Sequence, residues 1–285
     1  MYQYIALRNT QGMCNRIKVF FSSLRFDADE KEVVHLYWPI EGMLHKPFFD
    51  LFSFDLFMID EHNEAFQSKD ATNEISIGKK RMWRLDVENG EVPAGFTKAY
   101  PKTNTDKEEC IDLEYNRIPD NVKRAYAKYF DALKPSKIVQ ARIDQLVLSQ
   151  KTVGVHVRLN GEWTAWNRAR GSGTKQFIKA MRKYSKDTMF FLASCNEAVA
   201  EEIRAAFPNR ILELPQKDYL GDVDAAADLF LLSMTDELIV TFGSSFSEVA
   251  WWLGGAKAKV KVVGSFLQWR IQNKLTSVKA KIKHI

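Results

Sequence analysis

The chain has 285 residues, 46% of them hydrophobic and 12% aromatic, which is enough for two domains of ordinary size with sizeable cores. A formal charge of +5 is mild for this length; it permits an anionic ligand or membrane surface, and with no RNA- or DNA-binding motif beside it, nucleic acid is not expected as a partner. No apolar run approaches the roughly 20 residues that span a bilayer, the start "MYQYIALRNT" lacks the order of a signal peptide, and Cys14, Cys110 and Cys195 are dispersed, odd in number and without metal-ligand spacing, so a globular, cytoplasmic chain with free thiols is expected.

In chain order, the apolar stretch "YIALR" predicts a strand, Cys14 to Phe26 a helix and "VVHLYWP", closed by Pro39, a second strand. Residues 40–120 lose periodicity and are rich in turn formers and charge, which predicts irregular loops. Helical spacing returns in "PDNVKRAYAKYFDAL" and "PSKIVQARIDQLVLSQ", with Pro119 and Pro135 at the expected helix starts. From about residue 150 the pattern becomes regular. Strands are predicted at "VGVHV", "MFFLAS", "ILELP", "ELIVTF" and "VKVVG", separated by helices at "TKQFIKAMRKYS", "NEAVAEEIRAAFP", "DVDAAADLFLLSM" and "SFSEVAWWLGG". Near-continuous apolar strands alternating with helices imply a parallel sheet covered on both faces, hence an α/β fold of two halves with a ligand cleft between them. The division expected is 1–148, 149–264 and an amphipathic, basic closing helix at 265–285 that either returns to the amino-terminal half or rests weakly on anionic lipid.

Two places carry polar groups where a core is expected. His156 and Arg158 lie two apart on one strand, so they share a face about 6–7 Å apart at its carboxyl end. A guanidinium there can clamp a phosphate with two parallel hydrogen bonds; it can equally pair with Glu162 while His156 is a satisfied core histidine. "TFGSSFSEVA", residues 241–250, reads as strand, tight turn and helix start, where free backbone N–H groups and the helix dipole favour an anion and Ser244, Ser245 and Ser247 add hydroxyls. Serine is also an ordinary N-cap. "DVD" at 222–224 imitates a D-x-D metal motif, but acidic residues at a helix start commonly serve the dipole, and no metal is expected there. "ARGSGTK" fits no phosphate-loop spacing and reads as a loop before a helix, although Arg168 and Arg170 could close over a ligand. His35, His45 and His62 form no ligand pattern.

Taken together, three blocks resemble a known superfamily. "GVHVRLNGEW" resembles the H-x-R-x-G-x-D-W arginine motif of protein O-fucosyltransferases, and "DLFLLSMTDELIVTFGSSFSEVAWWLGG" resembles their carboxyl-terminal D-L-x-x-L … S-S-F motif. "NTQGMCNRIKVFFSSLRFDAD" is similar to the G-x-G-N-[RQ] helix start of the same superfamily, which includes the bacterial nodulation fucosyltransferase. Cys14, Asn160 and Glu162 depart from these motifs, where the family has glycine, glycine and aspartate. The resemblance implies a GT-B glycosyltransferase with two Rossmann-like domains and parallel sheets facing a cleft. It implies an inverting, metal-independent transfer of fucose from GDP-fucose, or of another deoxysugar such as rhamnose, to a glycan hydroxyl, without a further cofactor. A non-catalytic nucleotide-sugar or glycan-binding module is the alternative. By this resemblance Arg158 contacts the donor diphosphate beside His156, and Asp228 accepts from guanine N1 and N2. Ser244, Ser245, Phe246 and Ser247 then serve the phosphates, and Gly12, Asn15 and Arg16 face the same cleft from the other half, with Arg158 and Asn15 the catalytic pair. The general base stays open among Glu162, Asp27 and Asp29.

Overall fold

The computed structural model describes residues 3–6, 12–26, 33–40, 42, 44–64, 115, 120–149, 151–159, 167–168 and 171–265. The expectations for Asp27, Asp29, Asn160, Glu162, Arg170, Pro119, the loop-rich stretch 65–114 and the tail from 266 lie outside the described residues.

The amino-terminal part begins with β1 (Gln3–Ala6), α1 (Met13–Phe26) and β2 (Val34–Tyr37). The stretch after residue 40 is more regular than its sequence suggests: α2 (Phe48–Leu51) and β3 (Phe52–Phe54) form, and β4 (Ile59–His62) lies parallel to β2, giving a sheet in the order β1-β2-β4. "IDEH" carries no apolar alternation because, among the described residues, it is an edge strand with no buried position. Glu61 on that strand accepts the backbone N–H groups of Phe48 and Phe49, so the polar side chain caps the neighbouring turn of helix.

Two helices follow, α3 (Asp120–Ala132) and α4 (Lys137–Ile143), joined by β5 (Leu133–Pro135), which pairs antiparallel with β3. Pro135 therefore ends a strand rather than starting a helix. Ser136 is the N-cap, accepting from the Val139 N–H at 3.3 Å, and α4 stops at Ile143, short of the run to residue 150 that spacing predicted.

The carboxyl-terminal part alternates strand and helix as its sequence predicts. It comprises β6 (Thr152–Val157), α5 (Thr174–Met181), β7 (Met189–Ser194), α6 (Glu197–Ala206), β8 (Ile211–Leu212), α7 (Asp222–Ser233), β9 (Glu237–Thr241), α8 (Ser245–Leu253) and β10 (Lys259–Val263). Every pairing is parallel, in the order β10-β9-β6-β7-β8. The chain moves outward through β7 and β8, then returns to the other side of β6, so strand order reverses between β6 and β9. In open α/β sheets the crevice beyond the carboxyl ends at such a point is where ligands bind.

Every residue of β6 is buried, as a central parallel strand covered on both faces must be. Gly154 permits the close approach of α7, the turn after it and β9: a Cβ there would lie 3.0 Å from Leu232 Cδ2, 2.6 Å from Thr235 Oγ1 and 2.7 Å from Leu238 Cδ2. The two sheets share one core. Phe20 and Phe21 of α1 pack with Phe48 and Phe54, Phe21 meets Phe130 of α3 edge-on at 4.8 Å, and Phe130 stacks on Trp252 of α8 at 5.3 Å. Within this apolar contact Lys18 of α1 donates to Glu248 of α8, and Trp252 Nε1 donates to the other Glu248 oxygen at 3.3 Å.

Lys18 and Glu248 are 5% and 1% exposed, so Lys18→Met takes the ion-pair partner from a carboxylate that water does not reach. Lys18→Met alone is expected to cost about 3–5 kcal/mol of stability. Lys18→Met combined with Glu248→Leu should recover most of that loss. Chemical denaturation of the two variants checks both values.

Candidate active site

A cavity of about 310 Å³ occupies the crevice at the point where strand order reverses. His156 and Arg158 reach it from the end of β6, Ser194 and Cys195 from the end of β7, and Lys217, Asp218, Tyr219 and Leu220 from the segment after β8. Asp222, Ala225 and Asp228 line it from α7, Ser245 and Phe246 from the start of α8. Gly12, Met13, Cys14 and Asn15 close it from the start of α1, together with His45.

The end of β6 is held by Thr241, the last residue of β9. Its Oγ1 accepts the Arg158 N–H at 2.8 Å and donates to the His156 carbonyl at 3.1 Å. The Arg158 backbone is thereby fixed, and the residue is half-buried. The guanidinium charge is felt by His156, Cys14 and Cys195 alike, which puts it among the cavity walls. His156 is buried, stacks on Phe246 at 4.7 Å and has Nδ1 2.9 Å from Ser247 Oγ, with Ser244 Oγ at 3.5 Å. Burial, helped by the charges of Arg158 and Lys217, lowers its pKa to about 3, so the imidazole is neutral at physiological pH.

The turn before α8 forms because Gly243 adopts φ +73°, a backbone conformation glycine takes without strain, after which Ser244 is extended and α8 begins. Among the described residues no side chain caps this helix; the one acidic residue in its first turn, Glu248, is taken up by Lys18, and the first turn of α1 has none. The N-termini of α1 and α8 meet at the cavity with backbone N–H groups and the positive ends of both dipoles, an arrangement that suits an anion. Gly12 adds room, since a Cβ there would meet nothing within 4 Å.

Asp228 is one of three carboxyl groups on the lining, with Asp218 and Asp222. It is 4% exposed; Oδ2 accepts from Lys217 Nζ at 2.5 Å, and Oδ1 has no hydrogen-bond partner among the described residues. Burial raises its carboxyl to about 7 although the Lys217 ammonium draws it down. The two thiols are not activated: burial pushes both Cys14 and Cys195 above the usual thiol range.

The expected site residues thus divide. Arg158, His156, Asp228, Ser245, Phe246, Gly12 and Asn15 line one cavity. Ser244 and Ser247 are fully buried behind it, turned to His156. Arg16 differs most from expectation: it is buried at 2% exposure, donates to the Pro39 carbonyl and lies over the Trp38 ring at 5.6 Å, so it anchors α1 to the end of β2. Arg168 is exposed and outside the lining. Asp222 and Asp224 are committed elsewhere. Asp222 accepts the His45 N–H at 2.6 Å, while Asp224 takes a two-pronged contact from Arg142 at 2.6 and 2.9 Å and the Asp218 N–H at 2.7 Å. Among the described residues no group of three metal-ligating side chains gathers.

Lys217 was not legible as a site residue. The available signal was position, since it follows "ILELP" and loops at strand carboxyl ends carry ligand contacts in this fold class. Arg142 builds that loop across the chain, its Nη2 donating to the Pro215 carbonyl at 2.6 Å.

No known protein family and no curated protein matches the sequence. Solved structures do match, and the fold is the GT-B type of those fucosyltransferases. The NodZ alpha-1,6-fucosyltransferase soaked with GDP-fucose is similar at a TM-score of 0.53 and 17% identity, over 88% of this chain and 92% of that one. NodZ from Bradyrhizobium is similar at 0.52 and 17%, over 87% and 91%. POFUT1 in complex with GDP-fucose is similar at 0.51 and 12%, over 93% and 98%.

For a diphosphate leaving group in this cavity, Arg158→Ala is expected to fold, its backbone being held by Thr241, while kcat falls about 10²- to 10³-fold, more than diphosphate affinity does. Arg158→Lys keeps the charge without the planar fork and should recover part of the loss. Steady-state kinetics beside thermal melting of the two variants decides it. A structural role instead lowers the melting temperature and leaves kcat near normal.

Proposed function

We propose that the protein is an inverting, metal-independent glycosyltransferase that transfers fucose from GDP-fucose to a glycan hydroxyl. The observation that carries this reading is the convergence on one cavity of the Arg158 guanidinium, two helix N-termini and a buried carboxylate with an open oxygen. That set offers an anion site beside an acceptor for N–H groups, the two things a purine nucleoside diphosphate requires. Two of the structural neighbours named above, a NodZ and the POFUT1 structure, were solved with GDP-fucose, which supports the same donor here.

In the reaction the acceptor oxygen forms a bond to the anomeric carbon as the bond from that carbon to the diphosphate oxygen breaks. The electron pair leaves with GDP, and the acceptor proton passes to a base left unassigned. Charge grows on the departing diphosphate, so donors already aimed at it lower the barrier. Arg158 and the α8 N-terminus serve that role, with neutral His156 against Ser247 and Phe246 forming the floor behind it. Asn15 reaches the cavity from α1, the side from which the acceptor would approach. The engagement of Asp222 and Asp224 by His45 and Arg142 favours chemistry without a divalent cation at that pair. On this reading the chain divides into an acceptor-side unit at 1–148, a donor-side unit at 149–264 and a closing segment at 265–285, and the protein works in the cytoplasm, where its dispersed thiols stay reduced. Among the described residues no helix is long and apolar enough to cross a membrane.

Calorimetry is expected to give tighter binding of GDP than of UDP; equal or reversed affinity would remove the guanine assignment. Transfer or donor hydrolysis from GDP-fucose should persist in EDTA, and activity recovered only with added manganese or magnesium would overturn the metal-independent mechanism. Binding without any turnover of donor would assign a nucleotide-sugar binding module instead.

A further inference from the structure

Lys217 and Asp228 form a pair with an uneven division of roles. The side chains are 3% and 5% exposed, they pair at 2.5 Å and both line the cavity. The ammonium engages Oδ2 alone; Oδ1 is buried and has no hydrogen-bond partner among the described residues. A buried carboxylate oxygen without a donor is unfavourable, and a ligand N–H relieves it. The lysine backbone is held in place from outside the cavity, because Arg142 grips the Pro215 carbonyl and Asp224, and Asp224 in turn accepts the Asp218 N–H.

We propose that Lys217 is a positioning residue for base recognition: it keeps Asp228 an ionised, acceptor-only carboxylate and occupies Oδ2, so that Oδ1 reads one ring N–H of the bound base. This rests on the donor reading above and narrows it. Two acceptors would grip N1–H and the 2-amino group of guanine together; one acceptor requires only the ring N–H, so the 2-amino group is dispensable and the ring hydrogen is not.

The groups acting on Asp228 come from each element around it. Lys217 lowers its pKa, while Glu213 from the segment after β8 and Asp224 one turn back on α7 raise it. Arg142 of α4 and Cys195 at the end of β7 are also within electrostatic reach. The folded pKa of about 7 lies above the ordinary carboxylate value, so Asp228 is ionised above pH 7 and takes up a proton as pH falls through it. Base binding that needs the carboxylate is full on the alkaline side and weakens on the acid side. Without Lys217 the midpoint moves to higher pH.

The test is calorimetry of GDP, guanosine, inosine and 1-methylguanosine on the whole protein between pH 6 and 9, for wild type, Lys217→Met and Lys217→Arg. In wild type, inosine is expected to match guanosine within a few-fold, and 1-methylguanosine to bind at least about tenfold more weakly. In Lys217→Met, GDP and guanosine should both weaken about tenfold near pH 7 and recover as pH rises, each unit of midpoint shift being a factor of about ten. Lys217→Arg should stay near wild type. Should Lys217→Met not fold, the wild-type nucleoside series and pH profile still decide. Equal binding of 1-methylguanosine and guanosine overturns the inference, as does a pH-independent loss in Lys217→Met that affects GDP and spares guanosine, which would make Lys217 a phosphate contact. Failure of wild type to bind GDP at any pH overturns the donor reading and this inference with it.

Discussion

The contact between α1 and α8 is the constraint on which the site depends. Each helix begins at the cavity, one from the amino-terminal sheet and one from the carboxyl-terminal sheet, and their bodies are joined by an aromatic core with Lys18 and Glu248 inside it. A buried ion pair adds little net stability over apolar side chains of the same size. It does penalise any sliding of one helix along the other, because a shift of one turn leaves two buried charges apart. The two helix N-termini are thereby held in a fixed relation, which an anion site made of backbone N–H groups requires.

The second determinant is the strand order. Placing β9 beside β6, opposite β7, opens a crevice at the carboxyl ends into which His156 and Arg158 both project. Thr241 ties the two strands across that opening. Around it the charges are arranged in depth. Arg158 lies at the cavity wall, neutral His156 sits against serine hydroxyls, and the Lys217–Asp228 pair lines the same cavity with one oxygen unspent. Such preorganisation costs stability when the site is formed and returns it when charge appears on a ligand.

The carboxyl-terminal part was legible because its strands are apolar along their whole length and its helices are bounded by Asn196, Gly221 and the serine turn, so local signals and tertiary packing agree. The amino-terminal part was less so. β4 is an edge strand whose sequence, "IDEH", satisfies partners rather than a core, and Pro135 was misassigned because proline suits a strand end as well as a helix start. For the site, residues on the strand and the turn could be located by period and capping chemistry. Arg16 could not, because a periodic helix does not reveal which of two adjacent residues, Asn15 or Arg16, faces the cavity. Lys217 and the Arg142 clamp depend on contacts 11 and 82 residues apart in sequence, which no local pattern encodes.

A crystal structure of the protein grown with GDP tests the central claim most directly. The account predicts a diphosphate at the α8 N-terminus within hydrogen-bond reach of the Arg158 guanidinium, and the guanine N1–H on Asp228 Oδ1. GDP bound away from both residues, or bound with its phosphates at Asp222 and Asp224 through a divalent cation, would contradict it.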